Sequence, residues 1–111
     1  MVGASERDTR LIFRSLKNTA RVLRNSISEE VVSIERRAGG CEFEDLRPLV
    51  AGVRGRAALE AGEVDNGVIT AGQVVGLIED IPSCAQLIER MVAEAREHLL
   101  RANSYFIGEG K

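Results

Sequence analysis

Between Val68 and Ile81 the chain places Val68, Ile69, Val74, Val75, Leu77, Ile78 and Ile81 with little polar relief. A helix drawn through Val74, Val75, Leu77 and Ile78 is apolar on nearly every side. Such a helix needs cover from more than one direction. That need limits the fold more than any other feature, because only 111 residues are at hand to meet it. One domain is the expectation for this length. Apolar residues make up 44% of the chain and aromatics only 4%, so any core is aliphatic and built from modest side chains.

The rest of the chain reads as helices joined by glycine-rich turns. From Arg7 to Glu35 the residues Phe13, Leu16, Ala20, Leu23, Ile27, Val31 and Ile34 recur every three or four positions, the spacing of one helical face. Ser26 with Glu29 fits a capping box, so a helix restarts there. Thr9–Arg14, with its β-branched and aromatic residues, is alternatively extended. Gly39-Gly40 ends the segment. Phe43, Leu46, Leu49 and Val50 predict a short helix, with Pro48 late enough to bend or end it. Arg56–Ala61 predicts another, stopped by Gly62, and Glu63–Gly67 is a turn. Asp80 and Pro82 close the apolar helix at Val74. Ser83 and Gln86 form a second capping box, opening a last helix. Leu87, Met91, Val92, Ala95, Leu99 and Leu100 give that helix a face to bury, and its tail from Asn103 is expected to fray. The expectation is a mainly α chain, one helical unit over residues 1–111.

Few side chains suggest chemistry. Cys41 and Cys84 lack metal or redox spacing, and the lone His98 has no nucleophile or carboxylate dyad near it in sequence. No metal site is expected. Arg7, Arg10, Arg14, Lys17, Arg21 and Arg24 align on one stripe if their segment is helical. That stripe is either a phosphate-binding face or a solvated flank of the apolar one. With 15 basic and 17 acidic residues and little aromatic interleaving, the chain has no nucleic-acid footprint. Arg54-Gly55-Arg56 either cradles an anion or pairs with Glu60 or Glu63. No apolar run approaches ~18 residues and MVGASERDTR has no apolar signal region, so no membrane contact and a cytoplasmic setting are expected. Thr70 and Gln73 match a capping box for the Val74 helix. Gly72 permits close approach of a backbone or a flat ligand there.

Two runs together carry a resemblance. Asn18-Thr19-Ala20-Arg21-Val22 and the pattern AGQ-x-x-GLI-x-D-x-P-S, from Ala71 to Ser83, occur in an order and separation similar to the C-terminal part of nitronate monooxygenases. These were formerly called 2-nitropropane dioxygenases and are related to the flavin-dependent enoyl-ACP reductases of type II. The resemblance spans roughly Ala4 to Ala102. It implies an FMN-dependent TIM-barrel enzyme that oxidises alkyl nitronates with oxygen, giving carbonyl compounds and nitrite. On that footing residues 5–63 correspond to a helical extension over the flavin side, and 67–102 to helices packed on the barrel. Thr70, Gly72 and Gln73 then lie at the mouth of the flavin site. The barrel would also be the missing cover for Val74–Ile78.

A TIM barrel takes about 250 residues. The phosphate-binding loops and catalytic histidine implied by the resemblance have no counterpart in these 111 residues, and His98 does not match that histidine. The chain therefore reads as the last third of such an enzyme: a split subunit, a truncated product or a fragment with a new role. It is expected to be inactive alone and to bind FMN only with a barrel-forming partner. The alternative is a non-catalytic helical module that self-associates through the Val74–Ile78 helix.

Overall fold

The computed structural model describes residues 1–107 and divides into two compact units, Met1–Glu79 and Asp80–Lys111. The first opens with a β-hairpin, where a helix was the primary expectation. Strands β1 (Thr9–Ile12) and β2 (Ala20–Leu23) pair antiparallel, with Arg10 opposite Val22 and Ile12 opposite Ala20. The extended alternative for Thr9–Arg14 thus holds over β1, and the single helix from Arg7 does not form. Two causes are visible. The connecting loop places Phe13 and Lys17 at φ 62° and 56°, left-handed positions no α-helix contains. The Glu35 carboxylate holds that loop, accepting from the Phe13 and Ser15 amides at 3.0 Å each and from the Ser15 hydroxyl at 2.7 Å. Contacts across twenty residues outweigh a local period.

Helix α1 (Ser26–Glu35) starts one residue earlier in its capping logic than Ser26 and Glu29 suggest. Asn25 is the cap: its Oδ1 accepts from the Ser28 amide at 2.9 Å, and the Ser28 hydroxyl accepts from the Asn25 amide at 2.9 Å. Glu29 is released for ion pairing. Ile27, Val31, Val32 and Ile34 of α1 pack with Ile12, Val22, Leu46 and Leu49 to make the core. Leu46 and Leu49 come from α2 (Phe43–Val50), which runs through Pro48 without ending. Helix α3 (Gly52–Ala61) begins a turn before the expected Arg56 and stops at Gly62, which adopts the left-handed conformation expected of it.

The Glu63–Gly67 turn is stapled to α1. The buried Asn25 amide donates to the Val64 and Gly67 carbonyls at 2.7 and 2.8 Å, and the Ser26 hydroxyl donates to the Asp65 carbonyl at 2.7 Å. Gly67 itself has no room for a side chain. A Cβ there would lie 3.0 Å from both the Ala58 Cβ and the Gly55 Cα. Beyond the turn the chain runs extended beside β2. Leu23 donates to the Ile69 carbonyl at 2.8 Å and Ala71 to the Arg21 carbonyl at 3.4 Å, flanking a bridge between Val22 and Thr70.

The expected helix at Val74 is a 3-10 segment, Gln73–Leu77. Its N-cap is Gly72, with no side-chain cap bond, so Thr70 and Gln73 do not form a capping box. Thr70 pairs with Val22 in the β-bridge, two residues before the cap position in extended backbone, too far to cap the segment. The expected surplus of apolar surface is real: Val75 is buried, while Val74 is 62% and Leu77 79% exposed.

The second unit is built on α4 (Cys84–Ile107). Its capping box forms as the sequence indicates: Ser83 donates to Gln86 Oε1 at 3.0 Å, and the Gln86 amide donates to the Ser83 hydroxyl at 3.2 Å. The helix continues through Asn103, where fraying was expected. Residues 108–111, the rest of that tail, lie outside the described residues. The stripe expected to be buried is not: no residue of α4 is buried, and Met91, Val92 and Leu99 are each more than half exposed.

Candidate functional site

The residues singled out for a cofactor, Thr70, Gly72 and Gln73, fall on one exposed edge. Ile69 and Ala71 alternate with them and are buried, so the strand-like run presents one set inward and the other to solvent. The bonds flanking the Val22–Thr70 bridge make it a non-hydrogen-bonded pair. The Thr70 N–H and C=O therefore point away from β2. Neither the Thr70 hydroxyl nor the Gln73 amide group hydrogen-bonds another side chain among the described residues. A Cβ on Gly72 would meet only Val74, at 3.7 Å, so its outer side is open. The edge offers a hydroxyl, a carboxamide and free backbone groups in a row. Neither cavity described below includes it. These residues do not by themselves make a phosphate cradle.

Other expectations resolve by geometry. Arg56 Nε pairs with Glu60 Oε1 at 2.8 Å, while Arg54 Nε donates to the Asn66 carbonyl at 2.8 Å. Both arginines around Gly55 are thus engaged locally. Cys41 and Cys84 are free thiols. Burial, with Asp45 next in effect, pushes the Cys41 thiol up from its ordinary range, away from nucleophilic character. Within the second unit, Asp80, Ile81, Pro82, Gln86 and Arg90 line a cavity of about 390 Å³. Arg90 there binds Asp80 in a two-pronged pair at 2.9 and 3.2 Å. The bond from Arg90 holds the Asp80 carboxyl below its usual value. No cluster of metal-ligating residues occurs among the described residues. No helix there is long and apolar enough to cross a membrane.

The arginines of the supposed stripe take a different arrangement. Arg10, Arg14, Arg21 and Arg24 do converge, but around the hairpin and with Arg36, the C-cap of α1, added, lining a cavity of about 440 Å³. Arg7 and Lys17 take no part. Sequence spacing found four of the members for a geometric reason that does not apply, and it gave no sign of Arg36 or Glu35.

No protein-family model matches the chain. The chain is similar in structure to FabK from Thermotoga maritima: TM-score 0.77, 29% identity, 94% of this chain covered and 32% of that one. A single-substitution mutant of the same FabK gives a TM-score of 0.69 at 27% identity, covering 94% of this chain and 29% of that one. A shorter stretch is similar to curated dehydrogenases. It is 43% identical over 49 residues to the (3aS,4S,5R,7aS)-5-hydroxy-7a-methyl-1-oxo-octahydro-1H-indene-4-carboxyl-CoA dehydrogenase of Mycobacterium tuberculosis, 44% of this chain and 14% of that enzyme. The Rhodococcus jostii enzyme of the same name is 48% identical over 40 residues, 36% of this chain and 11% of that enzyme. The chain thus spans about a third of FabK's length and matches a smaller part of each dehydrogenase. Its mainly helical architecture with a two-stranded sheet is that of part of a larger enzyme.

Proposed function

We propose that this chain is the C-terminal portion of a flavin-dependent TIM-barrel oxidoreductase, working in the cytoplasm once joined to its barrel. The observation that carries the reading is the match to FabK over nearly the whole chain, at 29% identity, against only a third of FabK. In this reading a barrel-forming partner supplies the phosphate site, the apolar wall and the catalytic histidine. Thr70, Gly72 and Gln73 close one side of an FMN site with their exposed edge. The same partner covers Val74, Leu77 and the apolar stripe of α4. Fully burying one such side chain is worth about 1.5–3 kcal/mol, so docking has ample driving force.

The finer activity, oxidation of alkyl nitronates by oxygen, rests on the two sequence runs at Asn18–Val22 and Ala71–Ser83. A second reading has its own support. The identities of 43% and 48% are to enzymes named as carboxyl-CoA dehydrogenases, which favours a CoA thioester substrate on the same flavin scaffold.

The test is reconstitution. The chain is co-expressed with a barrel from such an enzyme that lacks its own C-terminal portion. The complex is then examined for flavin absorbance, and its turnover measured with an alkyl nitronate plus oxygen and with an acyl-CoA. Flavin retained only in the complex, with turnover of one substrate, is the expected result. Flavin held by the chain alone in a stable one-to-one complex would overturn the partner requirement. Leu77→Glu should weaken assembly without unfolding the chain, because Leu77 is 79% exposed. Val75 is unsuitable for this purpose, being part of the interior.

A further inference from the structure

The cavity beside the hairpin has an unusual charge balance. Arg10, Arg14, Arg21, Arg24 and Arg36 face it, and among the described residues Glu35 is the one carboxylate in its lining. Both Glu35 oxygens are taken by the Phe13–Ser15 loop. Glu29 lies beside the cavity and is shared, 3.0 Å from Arg10 and 3.5 Å from Arg24. Asp8 acts on Arg24 but turns its carboxylate to Ser5, at 2.7 Å from the amide. Even with all three acids counted against the five arginines, two positive charges remain in excess.

Like charges gathered this way repel, by about 1 kcal/mol per pair at ~4 Å in water and more beside low-dielectric protein. The fold nevertheless holds them together. Arg21 is fixed by a 2.8 Å bond to the Thr9 hydroxyl, and Arg10 and Arg24 are fixed through Glu29. The side chains of Arg14 and Arg36 make no ion pair or hydrogen bond among the described residues. Three guanidiniums are thus preset and two have all their donors open.

We propose that this cavity binds the phosphate groups of a small organic phosphate. A guanidinium presents paired N–H donors that match phosphate oxygens two at a time, and the surplus of two charges matches a phosphate dianion. The volume of about 440 Å³ lies within the ~300–1,000 Å³ of small-molecule sites, more than a single carboxylate would fill. A nucleic acid is the poorer fit. The chain carries a net charge of −2, and single-strand binding relies on aromatic stacking surfaces that this cavity lacks. The site is independent of the flavin reading, since none of its residues belongs to the Thr70–Gln73 edge.

The experiment is calorimetric titration of the full chain with inorganic pyrophosphate, ADP, coenzyme A and, as a carboxylate control, citrate. Saturable one-site binding of a phosphate probe is expected, weakened at least tenfold by the pair Arg14→Gln and Arg36→Gln. Both side chains are exposed and unbonded, so the variant should keep its circular dichroism. Arg36→Lys, which keeps the charge and loses the fork, should fall between. Tighter binding of ADP or coenzyme A than of pyrophosphate would assign the organic portion a contact of its own, and equal binding would place all recognition on the phosphates. No binding by any phosphate probe, citrate binding as tightly as pyrophosphate, or affinity unchanged in the double variant would each overturn the proposal.

Discussion

Asn25 joins the hairpin, α1 and the loop that carries the Thr70 edge, so its replacement measures how firmly that edge is placed. Its side chain accepts from the Ser28 amide and donates to the Val64 and Gly67 carbonyls, and the residue is only 8% exposed. Asn25→Ala removes the cap, worth about 1 kcal/mol. It also leaves the carbonyl of buried Gly67 without its donor, at about 1–3 kcal/mol. Val64 is exposed, so water replaces the lost bond there at little cost. The expected loss is about 2–4 kcal/mol. With a urea slope of about 1–3 kcal/mol per molar, the midpoint should fall by about 1–2 M. Asn25→Asp is the sharper test. On exposed helices Asp caps as well as Asn, but here a carboxylate would face two carbonyls it cannot donate to. At neutral pH Asp should therefore be at least as damaging as Ala, with partial recovery below pH ~4, where protonation returns one donor. The readout should be hydrogen exchange at the Leu23 and Ala71 amides in urea, because the 24 residues of α4 add a large helical signal from the other unit. An Asp variant within ~0.5 kcal/mol of the parent would mean that the cap alone matters, and the stapling of the loop would be refuted.

Gly67→Ala should destabilise the first unit by about 1–3 kcal/mol through overpacking against Ala58 and Gly55, seen as a lowered urea midpoint; an unchanged midpoint would show that the α3 contact gives way. Asp80 has its carboxyl depressed by Arg90 below its ordinary value, so the pair's support for the start of α4 is complete above about pH 4. It should be lost as pH falls through the lower, folded value. Asp80→Asn should remove that acid dependence, and a helical signal with the same acid profile in both proteins would count against it. Cys41, with its thiol pushed up by burial, should be alkylated by iodoacetamide more slowly than exposed Cys84 at pH 8, as mass spectrometry of the two peptides would show.

Legibility in the sequence followed the range of the forces involved. The Phe43–Val50 helix, the Gly62 stop and the Ser83–Gln86 box are all decided within about one helical turn, and the sequence displayed them. The hairpin was hidden because its deciding contacts, Glu35 with the Phe13–Ser15 loop and β2 with Ile69–Ala71, join residues far apart in the chain. The three-and-four spacing through Phe13 and Leu23 fitted a helix only because strand residues and loop residues happened to fall on it. The same accident made four cavity arginines look like a helical stripe. For α4 the apolar stripe is legible in the sequence, but the structure leaves it exposed, and only the proposed barrel partner would bury it. The Thr70–Gln73 edge was legible as a polar run in an apolar stretch and not in its conformation. The capping pattern is short enough to occur by chance, and the bridge to Val22 took precedence.

That precedence sharpens what Thr70 can be. A capping threonine and a ligand-touching threonine would use the same hydroxyl, and any substitution would confound the two roles. In the structure the hydroxyl has no structural duty: Thr70 is exposed, contributes backbone to the bridge with Val22, and the Gln73–Leu77 segment is capped by Gly72 without a side chain. Thr70→Val keeps the β-branched shape that suits an extended residue and deletes only the hydroxyl. Its effect on the stability of the isolated chain should lie within ~0.5 kcal/mol, as for surface positions generally. If the edge closes a flavin site in the assembled enzyme, turnover should drop by about tenfold or more, the equivalent of one transition-state hydrogen bond of about 1.4 kcal/mol. Stability and activity are then measured on one variant with no correction between them. Unchanged turnover per assembled molecule, with flavin content equal to the parent, would remove Thr70 from the site. The edge would then be a lone strand segment with no ligand to meet.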